Sequence, residues 1–189
     1  MLGTATSGSA VNQLKIMLQN LVRERFGLTL HHESKEAPVY FLVVGKNGPK
    51  LTKAAEALDQ VAPGPVARDK DGYFDLPPGA PDFVGLGTNG SVRVSARMQT
   101  MVNLADKLGL TLDRPVLDKT GLAGSYDFKL GYADQRLRGS RGGASTEASD
   151  PEPDLSDALQ RQLGLKLESG NELLDFLVVD SANKIPTEN

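Results

Sequence analysis

The chain has 189 residues, enough for one ordinary domain or two small ones. Its formal net charge of −3 leaves no electrostatic footprint for nucleic acid or an anionic membrane, and the lack of Cys excludes disulfides, thiolate metal sites and a Cys nucleophile. A hydrophobic fraction of 39% with 20 Gly and 11 Pro predicts a compact core plus substantial loop, and no apolar run approaches the ~18 residues of a membrane span.

The first ten residues, MLGTATSGSA, are small and polar. They lack the basic and apolar regions of a signal peptide and are expected to be disordered, so the chain as written would stay in the cytoplasm. Val11, Leu14, Met17, Leu18, Leu21, Val22 and Phe26 then recur at steps of three and four, which predicts an amphipathic helix. Gly27 stands where a left-handed residue would end it. LTLHHE alternates like a strand, APVYFLVVG (37–45) reads as a second one, and the polar ESKEAP suits a reversal between them. A first helix–hairpin unit is thus expected over 11–62, including a short helical stretch KAAEALDQV. A Pro/Gly-rich loop is expected over 63–90.

The second unit, 91–133, opens with the strand SVRVSA. A helix follows, with Met98, Met101, Val102, Ala105 and Leu108 on one face and Gly109 closing it. LTLDRPVLD and SYDFKLGY should be strands joined by KTGLAG. Pro115 cannot donate to a ladder, so its strand should be an edge or begin after it. Residues 134–153 are rich in Gly, Ser and Pro and read as a disordered loop. The third unit, 154–189, starts at Asp154, a helix N-cap with Asp157 three residues on. Leu155, Ala158, Leu159 and Leu163 form its stripe and Gly164 its stop, with LKLES and LLDFLVVD as paired strands.

LVRERFGLTL (21–30), LADKLGLTL (104–112) and LQRQLGLKL (159–167) share one design, and the tetrapeptide FLVV occurs at both 41–44 and 176–179. Repeated helix–Gly–strand units, each laying an apolar helix face on a sheet, predict an α+β two-layer sandwich forming one compact domain.

Few residues invite chemistry. His31 and His32 are the two histidines, but neighbours on a strand point to opposite faces, so they do not readily share one ion. Glu33 shares a side with His31, which is a weak metal signal. Asp69, Asp71 and Asp75 alternate around Gly72 in DKDGYFD, like part of a calcium loop, although Ala80 stands where a bidentate Glu would be needed. The bland alternative is an Asx-stabilised turn. Ser125 follows the turn GLAGSY, with only the distant His31 or His32 available as a base. Asp127 beside Tyr126 reads equally as a sheet-surface pair or a catalytic group. GLGTNG (85–90) lacks the strand and helix that flank a dinucleotide site.

MLQNLVRERFGLTLHHESKEAPVYFLVVGKNGPKL, RPVLDKTGLAGSYDFKL, LQRQLGLKLES and NKIPTEN together resemble the uncharacterised soil-associated acidobacterial protein family, a domain of unknown function. VLDKTGLAGSYDF is the most specific mark. The resemblance covers the chain from about residue 11 and implies export to the periplasm or beyond. Members usually carry a signal peptide and a further N-terminal region that this chain as written does not begin with. The family brings no catalytic residues to place. The order of elements is also similar to the short N-terminal βαββαβ-like modules of secretins and TonB-dependent receptors, which bind partners in the periplasm.

The expectation is a binding or interaction module for an unknown protein or small-molecule ligand, with no nucleic acid partner and no membrane span. The alternative is a small hydrolase of esters or lactones assisted by calcium at Asp69, Asp71 and Asp75, with His31 or His32 as base and Ser125 as a candidate nucleophile. A self-associating scaffold is a third, purely structural role.

Overall fold

The computed structural model describes residues 7–55, 67–77, 82–88, 90–137 and 153–185, the side chains of 7–12, 15, 88 and 135 excepted. The expected helical stretch beyond residue 55 and the Gly/Ser-rich tract at 138–152 lie outside them. Among the described residues the protein is a mixed α+β molecule, mostly strand, with two sheets and three helices. Its chain forms two compact units, residues 38–171 and residues 1–37 with 172–189. Two strands, β1 (Thr29–Val44) and β7 (Leu165–Ser181), run on from one unit into the other, and each half is described with its own unit.

The larger unit, 38–171, holds the antiparallel sheet and, of the other sheet, β5 (Val116–Asp118) with the adjoining parts of β1 and β7. β1 and β7 are joined by β5 in the order β5-β1-β7, with β5 parallel to β1. The second sheet is antiparallel and ordered β2-β6-β4-β3, from β2 (Thr52–Lys53), β3 (Asp82–Thr88), β4 (Ser91–Gln99) and β6 (Tyr126–Ala133). Helix α2 (Met101–Leu112) buries Met101, Leu104, Ala105 and Leu108, the spacing of a single face. That face joins Leu42, Val94, Ala96, Phe128, Leu130, Leu159, Leu163 and Leu165 in one apolar cluster drawn from both sheets, this helix and the helical turn at 159–163. Pro115 immediately precedes β5, an edge strand, as its missing N–H requires.

Several elements depart from the expected boundaries. No hairpin forms at ESKEAP, because β1 is one strand of 16 residues that contains Pro38. The Tyr40 N–H bonds the Pro115 carbonyl on the β5 side at 2.9 Å, so alternation directs the Pro38 nitrogen to that same side, ahead of where β5 begins. The missing donor therefore costs no ladder bond. LKLES and LLDFLVVD likewise form the single strand β7. In α2 the helix runs past Gly109 to Leu112, and Asp113 takes the left-handed cap position at φ 51° with its N–H on the Gly109 carbonyl. LTL is helical there, not a strand. At Gly109 a Cβ would stand 3.4 Å from the Arg114 carbonyl, an ordinary contact as the chain returns. Met98, expected on the helix, sits in β4 at φ 51°, beside a register shift between Ala96 and Gln99. The expected 63–90 loop includes β3, whose alternation Gly85 and Gly87 conceal.

Helix α3 (Leu155–Ala158) follows the sequence closely. The Asp154 carboxylate accepts the Asp157 N–H at 2.8 Å, and the helix widens into a π-type turn over Leu159–Leu163. Gly164 ends it at φ 68°, and any side chain at this position would collide with the Gly48 carbonyl. The loop after β1 is locked onto the turn: Gly45 N–H bonds Gly164 O at 2.8 Å, and Lys50 N–H bonds Leu163 O at 2.8 Å.

The smaller unit contains α1 (Ser7–Phe26), the first part of β1 and the last part of β7. Residues 7–10, expected to be disordered, belong to the helix. Gly27 at φ 53° turns the chain out of it, as its position predicts. Thr29 Oγ1 meets Ser181 Oγ at 2.7 Å, and Asn183 N–H bonds Phe26 O at 2.7 Å. The stripe of α1 does not cover a sheet: Leu14, Met17, Leu18, Leu21 and Val22 are exposed. None of the described side chains of this unit is buried. The two FLVV tetrapeptides accordingly differ in environment, Leu42 being 0% exposed and Leu177 58%.

Candidate functional site

In the larger unit a cleft of about 400 Å³ opens beside β6, within the range of about 300–1,000 Å³ that small-ligand sites occupy. Its lining includes Lys50, Phe74, Asp75, Ser95, Arg97, Asp127, Lys129 and Gln162. Ser95 on β4 stands opposite Lys129 on β6. It is only 3% exposed, and its hydroxyl has no hydrogen-bond partner among the described residues. A buried polar group left unpaired is uncommon and costly.

One wall is a tight turn. Arg68 bridges to Phe74, and Asp69 N–H bonds Tyr73 O at 2.8 Å. Asp69 Oδ1 accepts the Asp71 and Tyr73 N–H groups at 3.0 and 2.8 Å, while its Oδ2 takes the Lys129 ammonium at 2.7 Å. The hydrogen bond from Lys129 is the main reason the Asp69 carboxyl is held below the ordinary carboxylate range. Gly72 at φ 83° makes the turn possible. DKDGYFD is therefore built as an Asx turn tied to the sheet. Among the described residues no group of three or more His, Cys, Asp or Glu side chains is disposed to hold a metal ion.

The opposite wall rests on the β4 irregularity. Asp127 Oδ1 accepts the Met98 N–H at 2.8 Å, and its Oδ2 lies 3.3 Å from Arg97. The β-bulge at Ala96–Gln99 is thus held by a carboxylate from the next strand, a sheet role for Asp127.

At the far end Gln162, on the π-type turn, behaves like a strand. Its amide donates to Gly131 O at 2.7 Å and accepts from Gly131 N–H at 2.9 Å. Gly131 has no room for a side chain because the Tyr73 hydroxyl stands there.

The other candidates lie elsewhere. His31 and His32 belong to the smaller unit, where their Nδ1 atoms meet Asp180 at 2.7 Å and Asp175 at 2.8 Å. Both pairs are solvent-exposed, and among the described residues neither ring bonds a hydroxyl. Glu33 pairs with Lys35 at 2.8 Å. Ser125 belongs to the larger unit, half-buried, with its carbonyl accepting the Ala54 N–H at 2.9 Å. Asp71 and Asp75 are exposed at the cleft turn. The segment VLDKTGLAGSYDF is turn architecture. Asp118 Oδ1 takes Thr120 N–H and Oγ1, Thr120 Oγ1 takes Leu122 N–H, and Gly121 and Gly124 adopt positive φ.

Sequence reasoning missed Ser95, Lys50 and Gln162. SVRVSA signals a strand, but a small hydroxyl on one of its faces carries no mark of burial. Gln162 reads as helix surface until the turn widens and aims it at Gly131.

A family model described as protein of unknown function (DUF3738) matches residues 3–182, and the chain belongs to that family. No curated protein and no solved structure matches it. No described helix is long and apolar enough to cross a membrane.

Proposed function

We propose that this protein is a binding module and that the cleft beside β6 is where it holds a small polar ligand. The observation that carries the reading is the Ser95 hydroxyl, buried without a partner on the wall of an open cleft. A ligand polar atom at that point would recover a hydrogen bond worth about 1 kcal/mol. Around it the fixed groups are already used for shape: Asp69 holds the turn, Asp127 the bulge and Gln162 the strand edge. An extracytoplasmic setting, which the soil-bacterial resemblance implies, belongs to this reading, as does the analogy with periplasmic partner-binding modules.

The hydrolase alternative has less behind it. An Nδ1–H donated to a carboxylate would fix the tautomer in which Nε2 of His31 or His32 accepts a proton, as a general base needs. No described nucleophile is bonded to either ring, and no described acidic cluster is arranged for calcium. It predicts aryl-ester turnover that His31→Ala or His32→Ala abolishes and EDTA suppresses.

The binding reading is tested by ¹H–¹⁵N spectra of the full chain with acetate, glycinamide, glucose and N-acetylalanine amide, each added separately at millimolar concentration. Amide shifts confined to Ser95, Lys129 and their cleft neighbours support it. Spectra unmoved at the cleft by all four, and by short blocked peptides as well, would refute it.

A further inference from the structure

The edge of β6 beside the cleft is an interrupted ladder, and the interruption is one residue long. β2 pairs only Thr52 with Asp127 and Lys53 with Tyr126, and the ladder stops there. Beyond it, the outward peptide groups of β6 are taken up by other parts of the chain. Ala54 N–H bonds Ser125 O, the Gln162 amide bonds both groups of Gly131, and Ala133 N–H bonds Pro153 O. Residues 125, 131 and 133 thus face this edge, and strand alternation puts the peptide of Lys129 on it as well. Lys50, which would stand opposite Lys129 had β2 begun earlier, turns its N–H to Leu163 O instead.

From this we infer that the cleft binds a short extended peptide segment, which lies along β6 and completes the ladder at Lys129. The inference rests on the binding reading above and names its ligand class. Gln162 is the internal precedent: an amide already bonds this edge through both its donor and its acceptor, two residues away. Main-chain hydrogen bonds to a sheet edge are a general way of holding peptides, with side-chain pockets setting selectivity. Ser95, opposite Lys129 on β4, lies one strand further in from this edge, so that a side chain of the segment, not its main chain, would meet its hydroxyl. Charge completes the match. Lys50 and Asp75 both line the cleft, and neither has an ion-pair partner among the described residues, so a segment carrying one acidic and one basic side chain is complementary.

The test uses the full chain and blocked tripeptides, acetyl-Lys-Val-Glu-amide and acetyl-Ala-Val-Ala-amide, with glycine and acetate as comparators, followed by amide spectra. The charged tripeptide is expected to bind most tightly and to shift the Lys129 amide. Ser95→Ala should weaken it roughly three- to tenfold. Asp75→Asn and Lys50→Gln, exposed changes that leave the core intact, should each weaken it roughly threefold and leave the alanine peptide unaffected. Glycine or acetate binding as tightly as the tripeptides would overturn the peptide assignment while leaving the binding reading in place. So would tripeptide binding indifferent to Ser95→Ala, Asp75→Asn and Lys50→Gln alike. If tripeptides, comparators and the four small probes above all leave the cleft unmoved, both fall.

Discussion

At the scale of single residues, the carboxylates of this protein hold backbone more than they do chemistry. Asp69 accepts two N–H groups through one oxygen and an ammonium through the other. Asp69→Asn keeps the turn acceptor and loses the ion pair, whereas Asp69→Ala loses both. Hydrogen exchange at the Asp71 and Tyr73 amides should therefore accelerate in the Ala variant and change little in the Asn variant. Asp134 works similarly: hydrogen bonds from the Arg136 guanidinium and N–H pull its carboxyl below the ordinary range against a smaller burial effect. A carboxyl held low in the folded state adds stability above its unfolded value of about 3.9, and loses that contribution as pH falls through the lower folded value. Urea unfolding of wild type and Asp134→Asn should differ at pH 7, and the difference should shrink as pH drops below 4. A gap that widens on acidification would contradict this. Asp-rich composition could not disclose these roles, since an Asx turn and a metal loop begin with the same residues and part company only where the partners lie.

At the scale of elements, helix ends were legible where glycine takes positive φ. Gly27 and Gly164 both end helices as their positions in the sequence suggest, and Asp154 caps α3. The same pattern misled in α2, where Gly109 stays helical and Asp113 supplies the left-handed residue. β1 and β7 read as hairpins because polar stretches inside long strands look like turns when neighbouring strands are unknown. Two substitutions test the packing. Leu104→Ala, at a position 1% exposed, should cost about 2–5 kcal/mol in denaturant unfolding. Thr100→Ala removes the hydroxyl that caps α2 at the Asn103 N–H and should cost about 1 kcal/mol. Near-equal losses would mean that α2 packs less fully than its buried face indicates.

At the scale of the molecule, the α+β character was legible, but the division of labour between two units was not. Apolar periodicity shows where a helix could bury a face, not whether it does so, and α1 has the right stripe with its side chains exposed. A unit with no buried described side chain has little to hold it against local opening. Amides of residues 13–37 and 172–181 should exchange much faster than those of β4 and the hydrogen-bonded amides of β6, and equal protection would contradict the burial pattern. The larger unit, with its shared apolar cluster, provides a firm frame for the cleft. The most direct measurement is hydrogen exchange at the Lys129 amide, alone and with acetyl-Lys-Val-Glu-amide. An open edge predicts fast exchange in the free chain, unlike its neighbours Asp127 and Gly131, and marked slowing when the peptide is added. A Lys129 amide already as protected as those two, and unchanged by the peptide, would show that the ladder has no gap to fill.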